Sequence, residues 1–443
     1  MRVACTLLLC VTALGALARA QDAPPPPVVR PFELSTEETA SLDSLAAEHG
    51  LDAGVLKAIV KQSRRSESDA IVLIKDGRTL IEEYSAKEGA RGPIEAMSAT
   101  KSVVALAFGC LLADGRLDSL DAPVHRFYPE WNQGLKARIT IRHLLTQRSG
   151  LHCERITTEI YRSPDFVQFA LAADLVEEPG TKWRYNNSAT NLLAGIVEKI
   201  AGQRMDMVLG AELFAPMGIT DWTWSLDDAG NPHAMAGLQI RAPDLAKIGE
   251  LMMHAGVWGP DRTRILPEAF VREATSHYEP LDPDRFGGTW EETAERGGQG
   301  SQGQRYGLLW WPEFKIEQTV SDRLIGEWRR LGTPEDFIAK MTGAKGLTYP
   351  QIMKYIPEHV GGEQAWLEAT VMAGRPDLDT TAEDWIGYSA RGYLGQYLIV
   401  IPEHRLVCTR MRIAPGGDHA KVDSFGGLLH LVRGLGGGAA GPK

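Results

Sequence analysis

The chain has 443 residues, 44% of them hydrophobic and 23% charged, which suits a globular protein with a sizeable core in one large domain or two to three smaller ones. A net charge of −10 with no clustered Lys/Arg stripe excludes nucleic acid as the main partner. Beyond residue 20 only Cys110, Cys153 and Cys408 remain, an odd number at wide spacings, so neither a disulfide framework nor a CxxC metal pair is present.

Residues 1–20, MRVACTLLLCVTALGALARA, read as a signal peptide: Arg2 is a minimal positive start, Val3 to Leu17 is apolar, and Ala18-Arg19-Ala20 fits an A-x-A cleavage site. The apolar run falls short of the roughly 20 residues that span a bilayer. Cys10, close to the N-terminus and preceded by the large Leu9, does not make a lipoprotein site. The expectation is an exported, periplasmic or secreted protein, cleaved after Ala20, with no membrane span in its mature form and a charge of −12 once Arg2 and Arg19 are gone. Residues 21–34, which include DAPPPPVVRP, form a stiff proline-rich linker.

Ser35 to about Ser66 reads as helical, opened by a capping box at Ser35 and Glu38. AIVLIKDGRTLIEEYS then gives two strands joined at Asp76-Gly77, a strong hairpin signal. The next stretch, EAMSATKSVVALAFGCLLADG (95–115), reads as a long apolar helix with Ser98 at its start and Lys101 in its first turn. A helix N-terminus favours anions, so a lysine there is electrostatically misplaced. Residues three apart share a helix face, which brings the Lys101 amine within reach of the Ser98 hydroxyl. A neutral amine can take the proton that makes a serine nucleophilic. Bringing a lysine from about 10.4 to near 7–8 requires about 4 kcal/mol. The helix terminus supplies at most about 2 kcal/mol, so burial against the apolar run must supply the larger share. The unpaired N–H groups of the first turn offer a donor to a developing oxyanion beside Ser98. The bland alternative is that Ser98 caps the helix and Lys101 is a solvated surface residue.

ITIRHLLTQRSGL and NSATNLLAGIVEKIAG are further helical pieces. In the second, Leu192, Leu193, Ile196, Val197 and Ile200 share one face and Gly202 ends the helix. The polar loop before it ends in Tyr185-Asn186-Asn187. A phenol beside cations can relay or abstract a serine proton, and an asparagine can orient a substrate amide or carbonyl. The alternative there is an aromatic loop anchor with Asn187 or Ser188 as N-cap. GQYLIVIPEHRLVCTRMRI is a second hairpin turning at Pro402 to Arg405, SFGGLLHLVRGL is a last helix, and residues 437–443 are a Gly-rich disordered tail. Hairpins at both ends with helices between them imply an α+β fold. Its antiparallel sheet is built from N- and C-terminal strands flanked by helices, with a mostly helical second region. One domain is expected over 35–436, with the charged, Trp- and Pro-rich segment 312–385 as an insertion over the core.

Other chemistries are set aside. GQGSQGQ around Ser301 has Gln299 where a nucleophile elbow needs glycine, and reads instead as a loop. There is no H-E-x-x-H, and the eleven histidines are scattered, so none is assigned to a metal or a triad. Trp310 and Trp311 suit an apolar acyl pocket, although neighbours on a strand face opposite ways and one of them belongs to the core.

With Ser98-Ala99-Thr100-Lys101, Tyr185-Asn186-Asn187 and ITIRHLLTQRSGL in this order, the chain resembles the serine β-lactamase and penicillin-binding-protein superfamily. AGLQIRAPDLAKIGELMMHAG, RYGLLWWP and YSARGYLGQYLIVIPEHRLV extend the likeness, which runs from about residue 68 to 412 and is poor over 312–385. It is most similar to the class C β-lactamase branch, which also holds esterases, D-aminopeptidases and 6-aminohexanoate-dimer hydrolases. The resemblance implies Ser98 as the acylated nucleophile, Lys101 and Tyr185 sharing general-base work, and Asn187 contacting substrate, with no metal or cofactor. The family's third motif, Lys- or His-Thr-Gly, falls on Ala390-Arg391-Gly392 and keeps only the glycine. The resemblance implies that the Tyr393 N–H completes an oxyanion hole with that of Ser98. Arg391 either provides a substitute cation for the lost side chain or points its own side chain away. The departure weakens the case for a strong β-lactamase or D-Ala peptidase, and Ala390 to Gln396 looks more like the nylon-oligomer hydrolase and esterase members. The expected function is therefore an exported serine hydrolase acting on a small-molecule ester or amide. The alternatives are a cell-wall D-Ala peptidase or weak β-lactamase, and a non-catalytic scaffold that keeps the fold.

Overall fold

The computed structural model describes residues 33–153, 157–276, 306–320, 322–330, 332–342, 378–414 and 427–437. The signal segment 1–20, all but the last two residues of the linker, the stretch around Ser301 and the tail beyond Gly437 lie outside the described residues.

Six antiparallel strands form the main sheet, in the spatial order 78–84, 70–75, 406–411, 396–401, 378–392 and 311–320. N-terminal and C-terminal strands meet at its centre, where Ala70–Lys75 runs against Leu406–Met411 from Ala70↔Met411 to Lys75↔Leu406. Asp76 and Gly77 both adopt positive φ (52° and 75°), the geometry that a two-residue hairpin turn requires. The second hairpin turns through Pro402–His404, with Arg405 at φ 48°.

Strand alternation divides the core in two. Ile71, Leu73, Ile399, Ile401, Leu406 and Cys408 face the helices Ala53–Arg65 and Leu428–Gly434, whose Leu56, Ile59, Leu428 and Val432 are fully buried. Val72, Ile74, Leu398, Val400, Val407 and Met411 face the larger helical region on the other side. At its heart lies the helix Thr100–Ala113, every residue of which from Thr100 to Leu111 is buried. That explains why its sequence is apolar all round rather than striped.

One expectation is refined and another corrected. The helical stretch read over 35–66 consists of two helices, Thr36–His49 and Ala53–Arg65. Gly50 ends the first in the left-handed region (φ 63°), and the Asp52 side chain caps the second by accepting from Val55 N at 2.8 Å. The long helix read from Ser98 instead starts at Thr100, after a single 3₁₀ turn over Met97–Ala99. The segment 312–385 begins and ends as sheet: Trp311–Val320 pairs with Leu378–Gly392 from Trp311↔Ser389 to Val320↔Leu378, and residues 343–377 lie outside the described residues.

Arg410, on the central strand Leu406–Met411, is fully buried. It donates to Leu394 O (3.1 Å) and Gly395 O (2.8 Å) on one side, and to Ser66 O (2.9 Å) and Ser68 Oγ (2.7 Å) on the other. One guanidinium thus clamps the turn after strand 378–392 to the loop that enters strand 70–75. Arg410→Ala leaves several buried acceptors without a donor and is expected to cost at least about 3 kcal/mol in urea unfolding. A loss below about 1 kcal/mol would show that water replaces the clamp.

Candidate active site

The turn before the buried helix is strained at one residue. Met97 sits at φ 48°, left-handed backbone that costs a non-glycine residue about 1–3 kcal/mol. The 3₁₀ turn that Met97 opens leaves Ser98 partly exposed while Ala99, Thr100 and Lys101 are buried. Lys101, only 1% exposed, folds back along the helix face, and its Nζ donates to Ser98 Oγ at 3.0 Å and to the Met235 carbonyl at 2.6 Å. The same nitrogen lies 4.8 Å from the centre of the Tyr185 ring. The i, i+3 spacing therefore delivers the contact read from the sequence, with the amine withdrawn from water as that argument required.

Tyr185 enters from the loop ahead of the helix Asn187–Ala201. Its ring stacks on Trp311 (6.2 Å, 22°) and meets Tyr306 edge-on (6.4 Å). Burial, and then the neighbouring Tyr185, push the Tyr306 phenol well above its ordinary range, so Tyr306 stays protonated and serves as packing rather than as a base. Trp310, just ahead of the strand Trp311–Val320, is fully buried, so it is the one of the pair that belongs to the core.

The helix cap is Asn186, not Asn187 or Ser188. Its side chain accepts from Ala189 N at 2.9 Å and donates to His152 O at 2.9 Å. Gln147, buried with φ 59°, accepts from Asn186 N and donates to Thr190 Oγ1 at 2.9 Å, which fixes the loop carrying Tyr185. Freed from capping, Asn187 reaches Thr157 Oγ1 with its Nδ2 at 3.5 Å, while its buried Oδ1 accepts no hydrogen bond from the described residues.

Gly392 ends its strand against the Ser98 turn. A Cβ there would lie 2.4 Å from Ala96 O and 3.0 Å from Ala99 N, so only glycine permits the approach. Tyr393 follows, its side chain 44% exposed. Arg391 turns to the buried Glu313, with Nη2 at 2.5 Å from Oε1, and its Nε donates to Ser389 Oγ at 2.9 Å. Arg433 holds the other oxygen of Glu313 at 2.5 Å, and the Arg391 guanidinium lies 5.3 Å over the Trp311 ring. Two arginines around one carboxylate leave the cluster with one net positive charge, so Arg391 is not a bare cation facing the cleft. The structure thus brings Ser98, Lys101, Tyr185 and Gly392 together, with Asn187 two residues after Tyr185 at the start of the next helix and Arg391 tied into the sheet edge.

Met235, Gln147 and Glu313 were not singled out from sequence. The first acts through a backbone carbonyl, which has no side-chain signature. The other two act through pairings between elements far apart in the chain. Among the described residues no cluster of His, Cys, Asp and Glu suits a metal ion, and no helix is long and apolar enough to cross a membrane. A cavity of about 210 Å³ elsewhere is lined by Arg64, Asp69, Glu83 and Lys87, whose charges pair with one another, and it takes no part in this site.

The sequence profile of the β-lactamase family matches residues 55–412. Over 144 residues, 28% of this chain and 36% of the relative, the chain is 32% identical to esterase EstB of Burkholderia gladioli. Over 239 residues, 50% of this chain and 59% of the relative, it is 24% identical to 6-aminohexanoate-dimer hydrolase of Paenarthrobacter ureafaciens. The chain therefore spans less than two thirds of the length of these curated relatives. The penicillin-binding protein of Bacillus halodurans superposes with a TM-score of 0.50 over 81% of this chain and 95% of that one, at 14% identity, a likeness of fold.

The contact at Gly392 is testable without choosing a substrate. Gly392→Ala must push the strand end away from the Ser98 turn, and the rate at which a fluorophosphonate labels Ser98 is expected to fall about 100-fold. Labelling at the wild-type rate, in a variant that melts like the wild type, would show that the approach does not matter to the serine.

Proposed function

The chain belongs to the β-lactamase family, and on that premise we propose that it is a serine hydrolase that forms an acyl-enzyme on Ser98 and cleaves esters or small amides. The observation that carries this reading is the buried Lys101 amine 3.0 Å from the Ser98 hydroxyl, with the Tyr185 ring on its other side. Ser98 Oγ attacks the substrate carbonyl while the Lys101/Tyr185 pair takes its proton. The backbone N–H groups of Ser98 and Tyr393 hold the oxyanion, a role that Gly392 serves by letting the two segments meet. The leaving group departs with the proton, and a water activated by the same pair hydrolyses the ester on Ser98. Asn187, with an unengaged carbonyl oxygen, receives an N–H or O–H of the substrate.

Esters and small amides are favoured over carboxylate-bearing peptides by the third motif. Ala390 replaces its cation, and Arg391 acts only through the net charge it shares with Arg433 and Glu313. The relatives named an esterase and an amide-dimer hydrolase support the same substrate class. Export is part of the proposal, supported by the apolar run and Ala18-Arg19-Ala20. Protein recovered outside the cytoplasm is expected to have an intact mass that begins at Gln21, and an uncleaved Met1 start would remove export from the reading.

Hydrolysis of p-nitrophenyl butyrate tests the chemistry. Ser98→Ala is expected to lower turnover at least about 1,000-fold, and Lys101→Met at least about 100-fold. Equal rates in Ser98→Ala and wild type would refute the nucleophile, and rapid nitrocefin turnover alongside would favour a β-lactamase instead.

A further inference from the structure

We propose that Asn191 is a positioning residue for the catalytic amine, holding the 234–235 peptide so that the Met235 carbonyl aims Lys101 at Ser98. The inference rests on the reading of Ser98 as nucleophile and Lys101 as its proton acceptor.

Asn191 lies one turn after Asn187 on the helix Asn187–Ala201 and is 1% exposed. Its Oδ1 accepts from two consecutive backbone amides, Ala234 N at 3.0 Å and Met235 N at 3.1 Å. Two N–H donors converging on one atom require an acceptor there, so the amide can be oriented only one way. Met235 then presents its carbonyl to Lys101 Nζ at 2.6 Å, closer than the 3.0 Å that separates the same nitrogen from Ser98 Oγ. The chain from helix to nucleophile is continuous: Asn191 Oδ1, Met235 N, Met235 O, Lys101 Nζ, Ser98 Oγ. Flanking bonds keep the segment from compensating by a slide. Trp224 Nε1 donates to His233 O at 2.9 Å, Leu238 N donates to Thr100 Oγ1 at 3.3 Å, and Ala96 N donates to Leu238 O at 2.8 Å. The segment 233–238 is thus strapped between the helix that bears Asn187 and the turn that bears Ser98, and Asn191 is the strap's attachment nearest the lysine.

The groups facing Lys101 leave the assignment readable. The Tyr185 ring lies against the amine. His233, two residues before Met235, is held neutral near pH 7 because burial lowers its pKa, an effect that the Asp227 charge and a backbone hydrogen bond at Leu226 oppose. Releasing the Met235 carbonyl frees Lys101 to leave Ser98. That change alters the rate of the chemical step and its pH dependence, and leaves substrate binding largely as it was.

The test compares wild type, Asn191→Leu, Asn191→Asp and Ser98→Ala in p-nitrophenyl butyrate hydrolysis across pH, with rates expressed per site titrated by a fluorophosphonate. Asn191→Leu removes the acceptor at similar volume, and kcat is expected to fall about 10- to 100-fold with KM changed less than about threefold. Asn191→Asp keeps an acceptor for both amides and should restore the high-pH plateau of kcat to within about threefold of wild type. Its added carboxylate favours the ammonium form of Lys101, so the acidic limb of the profile moves to higher pH. Wild-type kcat per titrated site and an unmoved limb in Asn191→Leu would overturn the proposal. Should Asn191→Leu fail to fold, Asn191→Ala, which also lacks the acceptor, is read in its place: a kcat lowered about 10- to 100-fold with KM changed less than about threefold supports the positioning role, and wild-type kcat with an unmoved limb overturns it. Turnover surviving in Ser98→Ala overturns the nucleophile, and the proposal with it. A dead Ser98→Ala beside an unaffected Asn191 series overturns the positioning role alone.

Discussion

An ammonium-forming side chain sits almost wholly out of water at the head of an apolar helix, and the rest of the molecule is arranged around that one placement. Burying an amine is unfavourable unless its hydrogen-bonding capacity is used. Here the Met235 carbonyl, the Ser98 hydroxyl and the Tyr185 ring surround Lys101 Nζ. Each partner comes from a different part of the chain: the 3₁₀ turn at 97–99, the loop before the helix Asn187–Ala201, and the segment after Trp224. The lysine is therefore the meeting point of three segments, and its position is only as well defined as theirs.

The scaffold answers that requirement with backbone contacts more than with side chains. Gly392 brings a strand end within van der Waals distance of Ala96, and the buried Arg410 holds the turn that follows, at Leu394 and Gly395. Asn186 and Gln147 fix the Tyr185 loop from below. Met97 carries the backbone strain that lets a partly exposed Ser98 precede a fully buried helix. Strain of this kind persists only where surrounding structure over-determines the conformation, and here the strand end, the strap at 233–238 and the buried helix all press on the same turn.

Much of this was legible in the sequence where the signal is local. The i, i+3 spacing of Ser98 and Lys101, the Asp76-Gly77 turn and the turn at Pro402 to Arg405 are short-range patterns with a single steric solution, and each appears as read. The break at Gly50 carried its own local signs, a glycine stop and an Asp52 cap, but apolar spacing continues on both sides and masked it. The true start of the buried helix was hidden because Ser98 looks like an N-cap, whereas the positive φ of Met97 has no residue-type signature. Contacts made through backbone atoms, such as Met235 O to Lys101, or through pairing of distant strands, such as Glu313 with Arg391, leave no spacing to read. Asn191 is an intermediate case. A polar residue beside Leu192 and Leu193 on a buried helix is visible as an anomaly, and only the fold says what it faces.

The third motif brings these strands of argument together. Of Ala390-Arg391-Gly392, the glycine is held by sterics, because any Cβ meets the Ala96 carbonyl. The other two positions are free of that constraint and have taken up structural duties. Ala390 is fully buried in the strand, and the half-buried Arg391 joins the buried Glu313 and Ser389 and the half-buried Arg433 in a charge cluster that ties the edge strand Trp311–Val320 to its neighbour. Each oxygen of the buried Glu313 has its own arginine, so the Arg391 guanidinium is already engaged where it could otherwise meet an anion. Trp311 lies between this cluster and Tyr185, under the guanidinium on one side and stacked on the phenol ring on the other. The edge of the sheet thereby supports the ring that rests on the lysine, and Arg391 braces Tyr185 and Lys101 from behind through Trp311.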